Sequence, residues 1–194
     1  GSSFRNVISP RNSLLREREL GQMEIEVFFN PFKENEVENW NEIKDYKLNL
    51  FQLKEKKVKQ ISAEEAVKKK IVSSKLVAYL LCKTQMFYSK LGVPEKLMRF
   101  RELESQARAF YAKETWDFEV ETSHGFVELA ACNHRSDFDL SSHSKVSKKD
   151  LKVKDVESCK EFFPNVFEVS AGIDRTLFVL LDVCLKKEKR GPEE

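Results

Sequence analysis

Gln22-Met23-Glu24-Ile25-Glu26-Val27-Phe28-Phe29 is the stretch that decides the fold. Met23, Ile25, Val27 and Phe29 alternate with Gln22, Glu24, Glu26 and Phe28, the period of a strand with one buried face. Asn30-Pro31 ends it. Working outward, residues 2–8 read as a strand, with Phe4 and Ile8 apolar, and residues 9–17 as a loop with turn chemistry at Ser9-Pro10-Arg11-Asn12-Ser13. Residues 97–103, 115–122, 125–133 and 164–170 read as further strands. The second and third of these are joined through His124-Gly125 as a hairpin. Trp116, Phe118 and Val120 alternate with Asp117, Glu119 and Glu121, so this hairpin also has an acidic face.

The helical signals are fewer. Ser62 and Glu65 form a capping-box pair that starts a short helix at Ala63. Leu76, Val77, Leu80, Leu81, Phe87, Tyr88 and Leu91 mark a helix over Ser74–Leu91, stopped by Gly92 and Pro94. Residues 136–144 form a short helix, and another runs from Gly172 to Lys186 before a charged, frayed tail, Lys186–Glu194. Long hairpins with a polar face favour an α+β fold, an antiparallel sheet flanked by helices, over a doubly wound parallel sheet.

Composition bounds the rest. The chain has 194 residues, 41% hydrophobic and 34% charged, with 15 Phe and a net charge of +2. That suits one domain with a real core and excludes a global basic field. The expected organisation is a single core over 1–194, truncated, with a small mixed α/β subregion near 32–95 and a flexible loop near 145–160. The chain begins without Met and reads as part of something larger. Cys82, Cys132, Cys159 and Cys184 are widely spaced, as reduced thiols of a cytoplasmic protein are. No apolar run is long enough for a membrane span.

The chemistry-bearing residues are acids and arginines. Glu24 and Glu26 share a strand face, as do Glu168 and Ser170, and Glu128 sits inside the apolar run Phe126-Val127-Glu128-Leu129-Ala130. Arg5, Arg16, Arg135 and Arg175 stand at strand ends or loops near them. Together they could hold a zwitterion beside a triphosphate and its Mg²⁺. They could equally be surface ion pairs of little energetic weight. The residues alone leave both readings open. Cys132, His134 and His143 fit no standard zinc spacing. There is no P-loop, no GxGxxG and no nucleophile motif. The lysine runs at 54–59, 68–70 and 148–154 read as solvated faces, with contact to nucleic acid as the weaker alternative.

Phe4-Arg5-Asn6-Val7-Ile8-Ser9-Pro10-Arg11 resembles motif 2 of class II glycyl-tRNA synthetases of the archaeal and eukaryotic type, and Arg18–Glu26 resembles its continuation. Thr115-Trp116-Asp117, Gly125-Phe126-Val127-Glu128 and His134–Ser141 are similar to the family's central block. Phe163–Arg175 is similar to motif 3. The blocks follow in the family's order over most of the chain.

The resemblance implies a class II catalytic core that activates glycine with ATP and Mg²⁺ and passes it to the acceptor end of tRNA(Gly). Arg5 would neutralise the α-phosphate, and Arg16 and Arg175 would hold the β- and γ-phosphates, with Arg5 and Arg175 catalytic. Glu128 would help place ATP and its Mg²⁺. Glu24, Glu168 and Ser170 would read the glycine ammonium and fill the space of a Cβ, and Arg135 would bind near the carboxylate. The full-length protein would be a homodimer, in the cytoplasm and without a membrane. Motif 1 and the anticodon-binding domain would lie outside this chain, and the loop at 145–160 is short for the family.

The departures fall on the adenine side. Val7 stands for a Glu that contacts the adenine amino group, Leu20 for a stacking Phe, and Ala171 and Val169 for the Phe and Pro of motif 3. Asn133-His134 stands for Ala-Asp. By the resemblance, losing one aromatic stack and one hydrogen bond would weaken ATP binding by roughly a few kcal/mol. A degenerate paralogue that binds without forming adenylate is therefore the alternative.

Overall fold

The computed structural model describes residues 1–104 and 111–185. In chain order the elements are β1 (Ser2–Phe4), β2 (Glu19–Phe29), α1 (Trp40–Ile43), β3 (Lys47–Gln52), β4 (Lys57–Ser62), α2 (Ala63–Lys68) and α3 (Lys75–Lys90). There follow β5 (Met98–Glu102), β6 (Glu114–Thr122), β7 (Gly125–Ser136), α4 (Phe138–Ser147), β8 (Val153–Lys154), β9 (Glu161–Phe162), β10 (Asn165–Gly172) and α5 (Ile173–Cys184). Eight strands form one sheet in the order β1-β2-β10-β7-β6-β5-β3-β4. Its pairs are antiparallel except β3 with β5, which is parallel. This is the expected α+β architecture.

Strand alternation gives the sheet two unlike faces. On one, Phe100, Phe118 and Trp116 are fully buried, and Phe118 stacks on Tyr88 of α3 at 4.6 Å between ring centroids. Val77, Ala78, Leu81 and Cys82 of α3 and Val179 of α5 complete this core. Burial of this kind is the main source of stability. The buried face of α3 is turned from the expected stripe. Phe87 and Leu91 are exposed, whereas Thr84 and Gln85 are buried. Gln85 is held inside by bonds to the Asn49 N–H, to Lys47 O and to Tyr46 Oη. Such pairing is what makes a buried amide tolerable.

The helix starts follow their caps. Ser62 Oγ accepts the Glu65 N–H and Ser74 Oγ accepts the Val77 N–H, each satisfying a donor in the first turn. Other boundaries move. β1 stops at Phe4 because Ile8 N–H turns back to Arg5 O at 3.2 Å. β7 runs on to Ser136, and β8 pairs with β9 as a small separate ribbon. The expected charged tail Lys186–Glu194, with the last residue of the helix expected to end at Lys186, lies outside the described residues. No helix of the described residues is long and apolar enough to cross a membrane.

Candidate functional site

The other face of the sheet is polar where β2, β10 and β7 meet. Register sets Glu168 directly between Glu26 and Asn133, and Ser170 between Glu24 and Ala131. Residues opposite each other in a ladder point to the same side, so the alternating acids of two distant segments form one floor. Over it lies a cleft of about 440 Å³ lined by Arg5, Arg16, Glu24, Glu128, Arg135, Glu168, Ser170 and Arg175, among others. Of the acids and arginines singled out in the sequence, all but Glu26 therefore line the same space.

Glu128 reaches this space through a bulge. Ala130 pairs with Phe118 of the core face, and strict alternation would send Glu128 to that face too. The register shifts between Phe118 and Glu119, so that Glu128 lies opposite Glu119 instead. A bulge changes the parity of a strand and re-aims its side chains. Here it moves a carboxylate out of the core, where burial would be costly.

The arginines come from three directions. Arg5 and Arg16 belong to the hairpin between β1 and β2. That hairpin is held by Arg5 N–H on Arg18 O at 2.8 Å, by Arg18 Nε on Ile8 O at 2.8 Å and by Arg11 N–H on Arg16 O at 3.0 Å. Arg175 lies in the first turn of α5. Its Nε donates to Leu15 O and its Nη1 to Glu128 O, both at 3.1 Å, with the Glu128 carboxylate at 3.9 Å. It thus ties the hairpin, β7 and α5 together. Beside it, Asp174 accepts the Gly21 N–H at 2.7 Å, and a Cβ on Gly21 would lie 3.3 Å from that carboxylate.

Arg135 is held differently. Its Nε and Nη2 fork onto Asp139 at 2.7 and 2.8 Å, its Nη1 bonds Glu168, and its guanidinium lies 4.0 Å from the centre of the Tyr111 ring. Arg135 keeps Asp139 below the usual carboxylate range, and Asp139, then Glu168, raise Arg135. Further along the sheet Arg101 bridges Asp117 and Glu119, and Arg99 bonds Glu119 while stacking on Phe126. Burial, then the nearby Glu128, pushes the Asp117 carboxyl up to about 7 despite Arg101.

Sequence reading missed several contributors. Gln22 donates to Glu24 and to Ser170, so it links the floors of two strands. Its signal was its place two residues before Glu24. Asn133 also lines the cleft and accepts Thr115 Oγ at 2.9 Å. Tyr111 had no readable signal, because only the fold brings it to Arg135, whereas Asp139 follows Arg135 by four residues inside the quoted block His134–Ser141 and was given no role. Of the departures noted above, Leu20 lines the cleft, whereas Val7 is 93% exposed and does not. Ala171 is buried on the core face, where Val169 also packs. His134 is fully buried there as well. Its Nδ1 accepts the Ser136 N–H, and its Nε2 stands 3.5 Å from Glu34.

The carboxylates and arginines fit a zwitterionic ligand beside a polyphosphate. For Mg²⁺, Glu128 is the fitting ligand, since its side chain is 44% exposed and only loosely paired with Arg175. Mg²⁺ commonly takes one or two protein carboxylates and completes its shell with phosphates and water.

No protein-family model matches the sequence. Over 158 residues the chain is 42% identical to the glycine–tRNA ligase of Pyrococcus horikoshii, covering 79% of this chain and 28% of that protein. It is 39% identical over 161 residues to the mitochondrial glycine–tRNA ligase 1 of Saccharomyces cerevisiae, covering 79% of this chain and 23% of that one. The chain thus spans about a quarter of the length of these curated relatives. Among solved structures, a Giardia lamblia prolyl-tRNA synthetase in complex with prolyl-adenylate matches with a TM-score of 0.54 over 93% of this chain and 26% of that one, at 15% identity. That likeness establishes the fold.

Proposed function

We propose that this chain, a sequence relative of the glycine–tRNA ligases with the class II aminoacyl-tRNA synthetase fold, carries the pocket in which glycine and ATP form glycyl-adenylate. The observation that carries the reading is the convergence of Arg5, Arg16 and Arg175 with Glu24, Glu168, Ser170 and Arg135 around one cleft. Cations gather on the side of the hairpin and α5, and carboxylates on the floor of β2 and β10.

In this reading the glycine ammonium sits on Glu168 and Glu24, and its carboxylate on Arg135. A carboxylate oxygen attacks the α-phosphorus, a new O–P bond forms, and the bond to pyrophosphate breaks. Charge accumulates on the phosphoryl oxygens, where Arg5 neutralises the α-phosphate and Arg16 and Arg175 hold the leaving pyrophosphate. Fixed donors aimed at developing charge are worth most in a water-poor cleft. No protein nucleophile is needed. Mg²⁺, when bound near Glu128, supplies further neutralisation of the phosphates. The 3′ end of tRNA(Gly) then takes the glycyl group and AMP leaves. Alanine is rejected because its methyl would meet the floor around Glu168 and Ser170. The tRNA acceptor end and, for the whole protein, a second copy are the partners. The four free cysteines suit a reducing compartment such as the cytoplasm.

The test is glycine-dependent exchange of labelled pyrophosphate into ATP. Exchange with glycine but not alanine, abolished by Arg175→Ala, is expected. A folded protein that binds ATP or glycine and exchanges nothing would instead favour the second reading, a binding paralogue. Leu20 in the cleft wall is the observation behind that alternative. Leu20→Phe should then raise ATP affinity if an adenine site exists here.

A further inference from the structure

The way Arg135 is held has a consequence beyond the reading just given, on which it rests. Arg135 and Glu168 are to bind opposite ends of one zwitterion, yet they bond each other. A guanidinium and a carboxylate at this range frequently form a bidentate pair. Such a pair would cap the acid that must receive an ammonium and occupy the fork that must receive a carboxylate.

Asp139 prevents this closure. It is not among the residues lining the cleft, whereas Arg135, Glu168 and Tyr111 are. Its two oxygens take Nε and Nη2 of Arg135 at 2.7 and 2.8 Å. The Tyr111 ring covers one face of the guanidinium at 4.0 Å. A guanidinium has five N–H donors in a rigid plane. With one edge forked onto Asp139, Glu168 reaches only Nη1, and a donor remains on each of Nη1 and Nη2. Those donors can receive the oxygens of a carboxylate. The side chain is thus set before the ligand arrives, and the cost of ordering it is met during folding.

We propose that Asp139 is a positioning residue for the substrate carboxylate. It anchors Arg135 from behind, so that an incoming ammonium displaces Arg135 from Glu168 without releasing the arginine from the site. The role concerns only the carboxylate end of the ligand. The ammonium end, at Glu168 and Glu24, is served without it.

Paired ligands separate this from a general loss of structure. Glycine and glycinamide share the ammonium, but glycinamide has no carboxylate. Binding of each is measured by ligand-observed NMR to the wild-type chain and to Asp139→Asn, whose folding is checked by its thermal melt. The proposal expects glycine affinity to fall at least about tenfold in Asp139→Asn while glycinamide changes less than about threefold. An equal fall for both ligands would make Asp139 merely structural and overturn the proposal. Unchanged glycine binding in the variant would overturn it while leaving the glycine reading of the cleft intact. A folded wild type that binds neither ligand would overturn both.

Discussion

Glu168 is where opposing demands meet. It is 8% exposed, lies between Glu26 and Asn133 in register, and bonds Arg135. A nearly buried carboxylate with one cationic partner is well placed to exchange that partner for an ammonium. Glu168→Gln keeps the shape and removes the charge, so glycine binding should weaken by about 2–3 kcal/mol, the scale of a charge-assisted hydrogen bond. Titration calorimetry measures this, and an unchanged affinity would take Glu168 out of the ammonium site. Asp117 makes a different statement. Its folded-state value of about 7 lies above the unfolded one. Such an acid favours the folded state most below the unfolded value, and that contribution is lost as pH rises through about 7. Asp117→Asn removes the dependence, while Arg101 keeps Glu119 as a partner. The stability of the variant relative to wild type should therefore rise from pH 5 to pH 8 in thermal melts. A difference that stays flat across that range would contradict the burial argument.

Among the elements, caps and close approaches set the tolerances. Ser74 is fully buried and its Oγ caps α3. Ser74→Ala should cost about 1 kcal/mol in chemical denaturation, with no change in the m-value. Gly21 packs against the first turn of α5, where a Cβ would lie 3.3 Å from Asp174 and 3.4 Å from Ile173. Gly21→Val should push α5 away and carry Arg175 with it. Loss of ATP binding exceeding the loss of stability is the expected sign, read by comparing nucleotide affinity with the melting temperature. Strands β2 and β10 were legible from alternation, which puts Glu24, Glu26, Glu168 and Ser170 on common faces, but the buried face expected of β2 is not one, since Met23 and Ile25 are exposed. Glu128 was not legible in the same way. Its side of the sheet depends on the bulge between Phe118 and Glu119, which no periodicity reveals. The parallel pairing of β3 with β5 was equally hidden, since alternation says nothing about strand direction.

For the whole molecule, the sequence supplied the parts and the fold supplied their meeting. Arg5 and Arg175 are far apart in the chain and line one cleft, because β1 and β2 form one edge of the sheet and β10 lies next to them. Arg135 and Asp139 are only four residues apart, but nothing local predicts that Tyr111 covers the guanidinium, since that contact belongs to the junction of β7 and the segment before β6. The departures read from the sequence also sort only in three dimensions. Leu20 bears on the cleft, Ala171 and Val169 belong to the core, and Val7 is exposed to solvent. The central claim is that this cleft holds the adenylate of an amino acid without a side chain. Calorimetric binding of a non-hydrolysable glycyl-adenylate analogue, with the alanyl analogue as control, tests it most directly, because binding does not require turnover. The account predicts that the glycyl analogue binds at least about tenfold more tightly, the discrimination one methyl group can provide, and that Glu168→Ala abolishes the preference. Equal binding of the two analogues, or none by a folded sample, would contradict it.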